Sequence, residues 1–476
     1  MGWMLVKYSL VSALLVLCFP SCTRSNPISC VDGYCQEASL PFCDVDGELS
    51  GTPETCIAVD CTTGDVAGCR GDSAIVCNAG GNDYDLSHCD HGCDPVEGCR
   101  SVSCVPSTTK CGDRVVETCS ATGALTTQAC DLGCVDAPSP HCAYIEPKYL
   151  PDVCDVPAVE ASRTVTSGET IDTNTDATCN GGIVPQLNGP DICVVRYGAL
   201  LVDSTGTWRV TGGRTLAVVT DGALRIAGTL DVSSDLGGVI GPGPSPFYGG
   251  QGIENVSGGA GFATPGGDGG STPGSGGLAY DPLAEPFFVG GRRGGVRTTY
   301  CGTGGTGGGA ATLISCRQAV VVDGIVDASG AGGLGGRVGG PGNCPGRGGG
   351  AGGYVVLQGA DVRVSGRLFA NGGGGGCGKP FGSNGVNGPD GARSVAAPLG
   401  CTPTTDEGSG GTGGAQGFAP GNGGLGAGTG GSARTSGGGG GSMGFFQVYT
   451  PSGVVPTLTP TASSPSFQPN QAIPTR

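Results

Sequence analysis

One phrase is written three times in this chain, and it restricts the available folds more than any other feature. It reads Ala223-Leu-Arg-Ile-Ala-Gly228-Thr-Leu-Asp-Val-Ser233, then Ala319-Val-Val-Val-Asp-Gly324-Ile-Val-Asp-Ala-Ser329, then Asp361-Val-Arg-Val-Ser-Gly366-Arg-Leu-Phe-Ala-Asn371. Apolar residues alternate on both sides of a fixed glycine, so each copy predicts two short strands hinged where a side chain would obstruct. One more apolar run precedes each copy: Leu216-Ala-Val-Val, Thr312-Leu-Ile-Ser and Tyr354-Val-Val-Leu. A unit of three short strands cannot bury its apolar face alone, whereas stacked units share a continuous core. The expectation is an all-β region built as a short β-solenoid of three or four rungs, with a β-sandwich carrying long loops as the alternative. Earlier strand-like runs, Cys193-Val-Val-Arg-Tyr, Ala199-Leu-Leu-Val and Thr207-Trp-Arg-Val, belong to the same region.

Between the copies lie Gly-rich inserts at about 237–309, 331–352 and 372–442, which hold much of a total of 99 glycines in 476 residues. Ordering a glycine backbone costs roughly 1–2 kcal/mol with no side chain to offset it. Two outcomes are open: the inserts stay mobile, or they lie side by side as extended polyproline-II-like threads joined backbone to backbone. Collagen is excluded because glycine does not recur at every third position, and Gly266-Gly-Asp268-Gly-Gly270 does not develop into a calcium-binding nonapeptide series. Cys301, Cys316, Cys344, Cys377 and Cys401 in or beside the inserts favour pinned threads.

The N-terminal quarter is a cysteine framework. Cys56, Cys61, Cys69, Cys77, Cys89 and Cys93 are followed by Cys99, Cys104, Cys111, Cys119, Cys130 and Cys134, and a partial copy begins at Cys30, Cys35 and Cys43. These are disulfide candidates, since modules of about 40 residues bury too little apolar surface to fold without cross-links worth roughly 2–4 kcal/mol each. Their connectivity is left open by the sequence. An oxidising compartment is predicted by Lys7 and the apolar run from Ser9 to Phe19, which together read as a secretory signal over 1–21. Pro20-Ser21-Cys22 resembles a bacterial lipobox, although Phe19 stands where leucine is usual, and Cys22 is therefore the expected lipidation site. With Cys18 removed and Cys22 lipidated, 26 − 2 = 24 cysteines remain, an even number. His88-Cys89-Asp-His91-Gly-Cys93 invites a zinc reading, but the equivalent Ala129-Cys130-Asp-Leu-Gly-Cys134 lacks both histidines, so no metal and no cofactor is expected. Arg70-Gly71-Asp72 matches an adhesion tripeptide and is read as coincidence.

A formal charge of −16 disfavours nucleic acid and anionic lipid as partners. Formal catalytic matches fail on context. Gly440-Gly-Ser442-Met-Gly444 lacks a later histidine, the last being His141, and the glycine run before Lys379 is followed by Pro380 where a P-loop needs Ser or Thr. Asp231 and Asp327 occupy equivalent phrase positions, as a carboxylate enzyme would require, but the third copy has Phe369 there. Arg225, Val321 and Arg363 form no consistent basic set at another equivalent site. Both aspartates are expected to face solvent, and no catalytic residue is assigned.

Signal, lipobox-like Cys22, cysteine-repeat stalk and the copies Val320–Gly330 and Val364–Gly375 resemble the Gly-rich surface lipoproteins of large-genome Gram-negative bacteria, catalogued as PE-PGRS-like. The helical PE domain of that label is missing here. The resemblance implies an outer-surface location and supplies no active-site residues. The domain plan is a signal peptide at 1–21, a Cys-rich repeat region at 22–142, a proline-interrupted linker at 143–162, a Gly-rich β domain at 163–450 and an unpacked Pro/Ser/Thr-rich tail at 451–476. The functional expectation is a non-enzymatic protein with a structural or adhesive role, in the outer membrane through a lipid anchor or free outside the cell, with a glycan or cell-surface ligand as partner. A carbohydrate-active solenoid enzyme and a Cys-rich ligand-binding or inhibitor module on a scaffold are the alternatives.

Overall fold

The computed structural model describes residues 28–90, 92–100, 104–156, 161–245, 257–270, 274–281, 287–295, 301–338, 344–380, 382–426 and 436–476. The expected signal segment, Cys22 and His91 lie outside these residues. Among the described residues regular structure is strand, with two single-turn 3-10 helices at Val153–Asp155 and Asp176–Thr178 and no α-helix. The protein is all-β and disulfide-rich. It divides into two compact units, residues 1–110 with 117–127, and residues 111–116 with 128–476.

The first unit carries cysteine modules. Phe42–Asp44 pairs with Thr55–Ile57, and Val66–Arg70, Ser73–Cys77 and Tyr84–His88 form an antiparallel sheet. Its interior is thin, with Phe42, Ala74 and Ile75 as buried apolar residues and the Phe42 ring edge-on to Tyr84. Disulfides make up the difference. Cys61–Cys77, Cys69–Cys93 and Cys89–Cys99 repeat as Cys104–Cys119, Cys111–Cys134 and Cys130–Cys142, the last two of which fall in the second unit. Cys56 closes the preceding module with Cys35, beside Cys30–Cys43. The closed frames are therefore 61–99 and 104–142, one cysteine later than the spacing comparison starting at Cys56, because spacing reports the period of a repeat and not where its loops close.

In the second unit the chain visits three sheets in rotation. The first sheet holds Gly182–Val184, Ile192–Tyr197, Thr215–Thr220, Ala310–Ser315, Tyr354–Gln358, Phe445–Pro451 and Gln471–Ile473. The second holds Arg163–Val165, Leu200–Val202, Leu224–Ile226, Ala319–Val322, Asp361–Val364 and Thr457–Leu458. The third holds Gly168–Asp172, Thr207–Thr211, Thr229–Asp231, Ile325–Asp327, Arg367–Phe369 and Ala462–Ser464. Neighbouring strands are parallel except Gly182–Val184 against Ile192–Tyr197. The three phrases stack in register, with Gly228, Gly324 and Gly366 at one corner. A Cβ on Gly324 would lie 2.0 Å from the Gly228 carbonyl oxygen, and one on Gly366 would lie 2.1 Å from that of Gly324.

Burial explains the two kinds of apolar run. Second-sheet strands alternate, as in Leu224 in, Arg225 out and Ile226 in, because one face meets the interior cluster around Trp208, Leu230, Val320, Leu357 and Phe446. First-sheet strands from Ile192–Tyr197 to Phe445–Pro451 are buried along their whole length, since a second cluster covers their outer face, while the two edge strands are partly exposed. That cover includes Phe262 and Phe288 of the first insert, whose rings lie 5.2 Å from those of Phe445 and Tyr354 respectively.

Two expected unpacked segments are packed. In 143–162, Ile145 and Leu150 are buried in the second cluster and Cys154 is bonded to Cys316, and among the described residues regular structure is confined to the single 3-10 turn Val153–Asp155. In 451–476, short strands pair with Asp361–Val364, Arg367–Phe369 and Phe445–Pro451. Prolines stand between and beside those strands, where they end a run without removing a ladder hydrogen bond.

The inserts leave after third-sheet strands, and their described parts form hydrogen-bonded threads. Donors along 437–442 show how. Gly437 and Gly440 donate to Gly424 and Gly421, Gly438 and Gly441 to Gly376 and Gly373, and Gly439 and Ser442 to Ser257 and Ala260. Direction repeats every third residue, which is the three-fold rotation of a polyproline-II-type helix. A thread surrounded in this way has no free direction for a side chain: a Cβ on Gly440 would lie 1.7 Å from the Thr412 carbonyl oxygen. Cys301–Cys344 joins the first insert to the second, and Cys377–Cys401 closes a loop inside the third.

Candidate functional site

The chemistry-bearing residues singled out by the phrase, Asp231 and Asp327, are paired across adjacent strands, and Phe369 follows at the same position in the next. They do not face solvent. Asp231 is 5% and Asp327 3% exposed, a correction to the expectation of solvent-facing aspartates. Each sits where a strand ends and its insert begins, and each carboxylate holds the departing backbone: Asp231 Oδ1 accepts from Ser233 N at 3.1 Å, and Asp327 Oδ1 from Ser329 N at 3.0 Å.

The outer oxygens meet arginines that the phrase does not contain. Arg393, from the third insert, donates Nε to Asp327 at 2.6 Å and Nη2 to Asp231 at 2.8 Å. Arg209, opposite Asp231 on the neighbouring strand Thr207–Thr211, donates Nη1 to Asp231 and pairs through Nη2 with Asp235 at 3.3 Å. One planar guanidinium thus bridges two stacked carboxylates. Burial pushes the Asp327 carboxyl above its ordinary value, the Arg393 hydrogen bond works against this, and the charge of Asp231 adds to it. Asp390 is raised by burial as well, while accepting from Leu236 N and Gly332 N at 3.0 and 2.8 Å. The cluster ties first and third inserts to the end of the third sheet.

General acid–base work on a glycan needs one carboxyl free to protonate a leaving oxygen and one free to attack or activate water. Here the same guanidinium occupies both. The other equivalent position aligns Arg225, Val321 and Arg363; Arg225 pairs with Asp323 at 2.8 Å and Arg363 with Asp361 at 2.6 Å.

Cys56, Cys61, Cys69, Cys77, Cys89, Cys93, Cys99, Cys104, Cys111, Cys119, Cys130 and Cys134 are all in disulfides. Cys30, Cys35 and Cys56 have sulfurs grouped closely enough to ligate a metal, but all three are in disulfides and offer no thiolate. Arg70 of the adhesion-like tripeptide is turned inward, with Nη2 donating to Cys43 O at 2.6 Å and the guanidinium 5.1 Å from the Phe42 ring centroid. Ser442 is fully buried in a thread.

Two features were not legible from sequence. A cleft of 360 Å³ is lined by Tyr149, Leu150, Val153, Val156, Val184 and Arg196. Arg196 reaches across it to Val153 O and Asp221. Beside it, the Tyr149 and Tyr354 hydroxyls are 3.4 Å apart, and burial, with Tyr149 adding, pushes the Tyr449 phenol up to about 12, so it is protonated at neutral pH. No protein-family profile, curated protein or solved structure matches the chain.

Proposed function

We propose that this is an exported, non-enzymatic surface protein in which cysteine modules carry a short β-solenoid, and the glycine threads held by that solenoid serve an adhesive or structural role. The observation that carries the reading is that every one of the 24 cysteines from Cys30 onward is in a disulfide. Full pairing on that scale is maintained outside a reducing cytosol. Strands visiting three parallel sheets in rotation support the solenoid, and Arg393 occupying both Asp231 and Asp327 supports a scaffold role for the only stacked carboxylates of the phrase.

Attachment through a lipid on Cys22 belongs to the same proposal. Intact mass of the protein purified from membranes checks it: a start at Cys22 with added diacylglycerol and acyl mass is expected, and an unmodified start elsewhere removes the anchor. The role is tested by binding of the oxidised full chain to glycan arrays and whole cells, together with a polysaccharide depolymerisation assay. Saturable binding without cleavage is expected. Cleavage that disappears in Asp327→Asn would replace the reading with a carbohydrate-active enzyme.

A further inference from the structure

The second insert, 331–352, contains Arg337 and Arg347 and no acidic residue, in a chain whose balance is otherwise strongly acidic. Arg347 is only 3% exposed. Its backbone is an ordinary member of the thread bundle, with N donating to Leu334 O and O accepting from Gly376 N, each at 2.9 Å. Its side chain is not. Nε and Nη2 are buried without a hydrogen-bond partner, and no ion pair reaches the guanidinium among the described residues.

A buried charge is normally paired, and a buried donor normally hydrogen-bonded. Arg347 meets neither condition, and its charged neighbour, Arg337, has the same sign. Burial, with that like charge, holds the guanidinium below its ordinary value. The space beside it is kept by glycine: a Cβ on Gly302 would lie 3.4 Å from Nη1 and 3.6 Å from Nη2, and Gly302 adopts φ +75°, which side-chain-bearing residues rarely adopt. Gly302 follows Cys301, whose disulfide to Cys344 fixes the first insert against the stretch that carries Arg347. A planar fork of unsatisfied donors, a second cation and a wall without side chains are what a bidentate oxyanion needs.

We propose that Arg347, assisted by Arg337, binds a single oxyanion group, a sulfate, phosphate or carboxylate. This does not depend on the adhesive reading above. The group has two sources, a free inorganic ion or an acidic saccharide, and the test separates them.

The oxidised full chain is titrated with sodium sulfate, sodium phosphate or a sulfated disaccharide, against sodium chloride at matched ionic strength, and followed by thermal unfolding and calorimetry. A saturable rise in the unfolding midpoint is expected with at least one probe. A response to the disaccharide alone assigns the site to a saccharide, and an equal response to inorganic sulfate assigns it to the free ion. Arg347→Met is expected to abolish the response while raising the midpoint in chloride, because it deletes an unpaired buried charge. Arg337→Gln, at an exposed position, is expected to weaken half-saturation about tenfold. No saturable response to any probe overturns the proposal, as does an unchanged response in Arg347→Met. Should Arg347→Met fail to fold, Arg347→Lys keeps the charge and removes the fork. About tenfold weaker sulfate binding is then required, and an unchanged value overturns the proposal.

Discussion

Arg393 lies 66 residues from Asp327 and 162 from Asp231 in sequence, yet its guanidinium joins them. Replacing it with methionine leaves the Asp327 carboxylate buried without an ion-pair partner beside Asp231, which keeps only Arg209, and a loss of about 3–5 kcal/mol at neutral pH is expected. The pH dependence has a definite sign. Because the folded-state pKa of Asp327 is already above its ordinary value, protonation favours the folded protein. That contribution is complete below the unfolded-state value and is lost as pH rises through the folded one. Urea denaturation should therefore show the Arg393→Met deficit shrinking from pH 7 towards pH 4; a deficit that grows in acid would contradict the assignment. Glu407 behaves in the opposite way. Burial disfavours its charge, but the hydroxyl of Thr405, its own backbone and that of Thr404, and the Thr404 hydroxyl outweigh burial and bring it down to about 2. Glu407→Gln should cost about 2 kcal/mol at pH 7. In stability curves the difference from wild type should fade as pH drops from 4.5 towards 2, the window between its ordinary and its folded value.

At the scale of elements, two kinds of glycine are distinguished by what surrounds them. The corner glycines pack against the preceding turn, and thread glycines such as Gly440 pack against neighbouring threads, in both cases against backbone, which cannot swing aside. Gly324→Ala and Gly440→Ala should each destabilise by about 3 kcal/mol or more, through displacement of a strand or thread rather than loss of a contact. Hydrogen exchange separates the two. The first should loosen Thr229–Asp231, Ile325–Asp327 and Arg367–Phe369, and the second the stretches around 412, 421 and 440. The strand pattern was legible because alternation and the fixed glycine are local: both correctly implied that Asp231, Asp327 and Phe369 share a register position. Arg393 was not legible, since nothing in the glycine-rich text of 372–442 tells which carboxylate a thread will pass. Nor was Arg347, which reads as one cation among glycines until its neighbours are known.

For the whole molecule, the two units differ in what resists unfolding. Each holds six disulfides, but the first is much the shorter and has few buried apolar residues, whereas the second has two large apolar clusters and continuous ladders of parallel strands. Treatment with a strong reductant in mild denaturant should release the first unit to proteolysis while the strands of the second stay protected; simultaneous cleavage of both would show that cross-links, not burial, hold the parallel sheets. Sequence alone determined the strand class, the repeat period, the corner at Gly228, Gly324 and Gly366 and the even number of cysteines from Cys30 onward, because side-chain alternation, steric absence at a turn and thiol parity act over short stretches or by simple count. Tertiary structure alone decided the closing points of the disulfide frames, the packing of the described residues of 143–162 and of 451–476, the burial of the aspartates and the threading of the described parts of the inserts. A glycine thread carries no side-chain code for its neighbours; its hydrogen-bond partners are set by which threads the stacked strands and the disulfides bring alongside it.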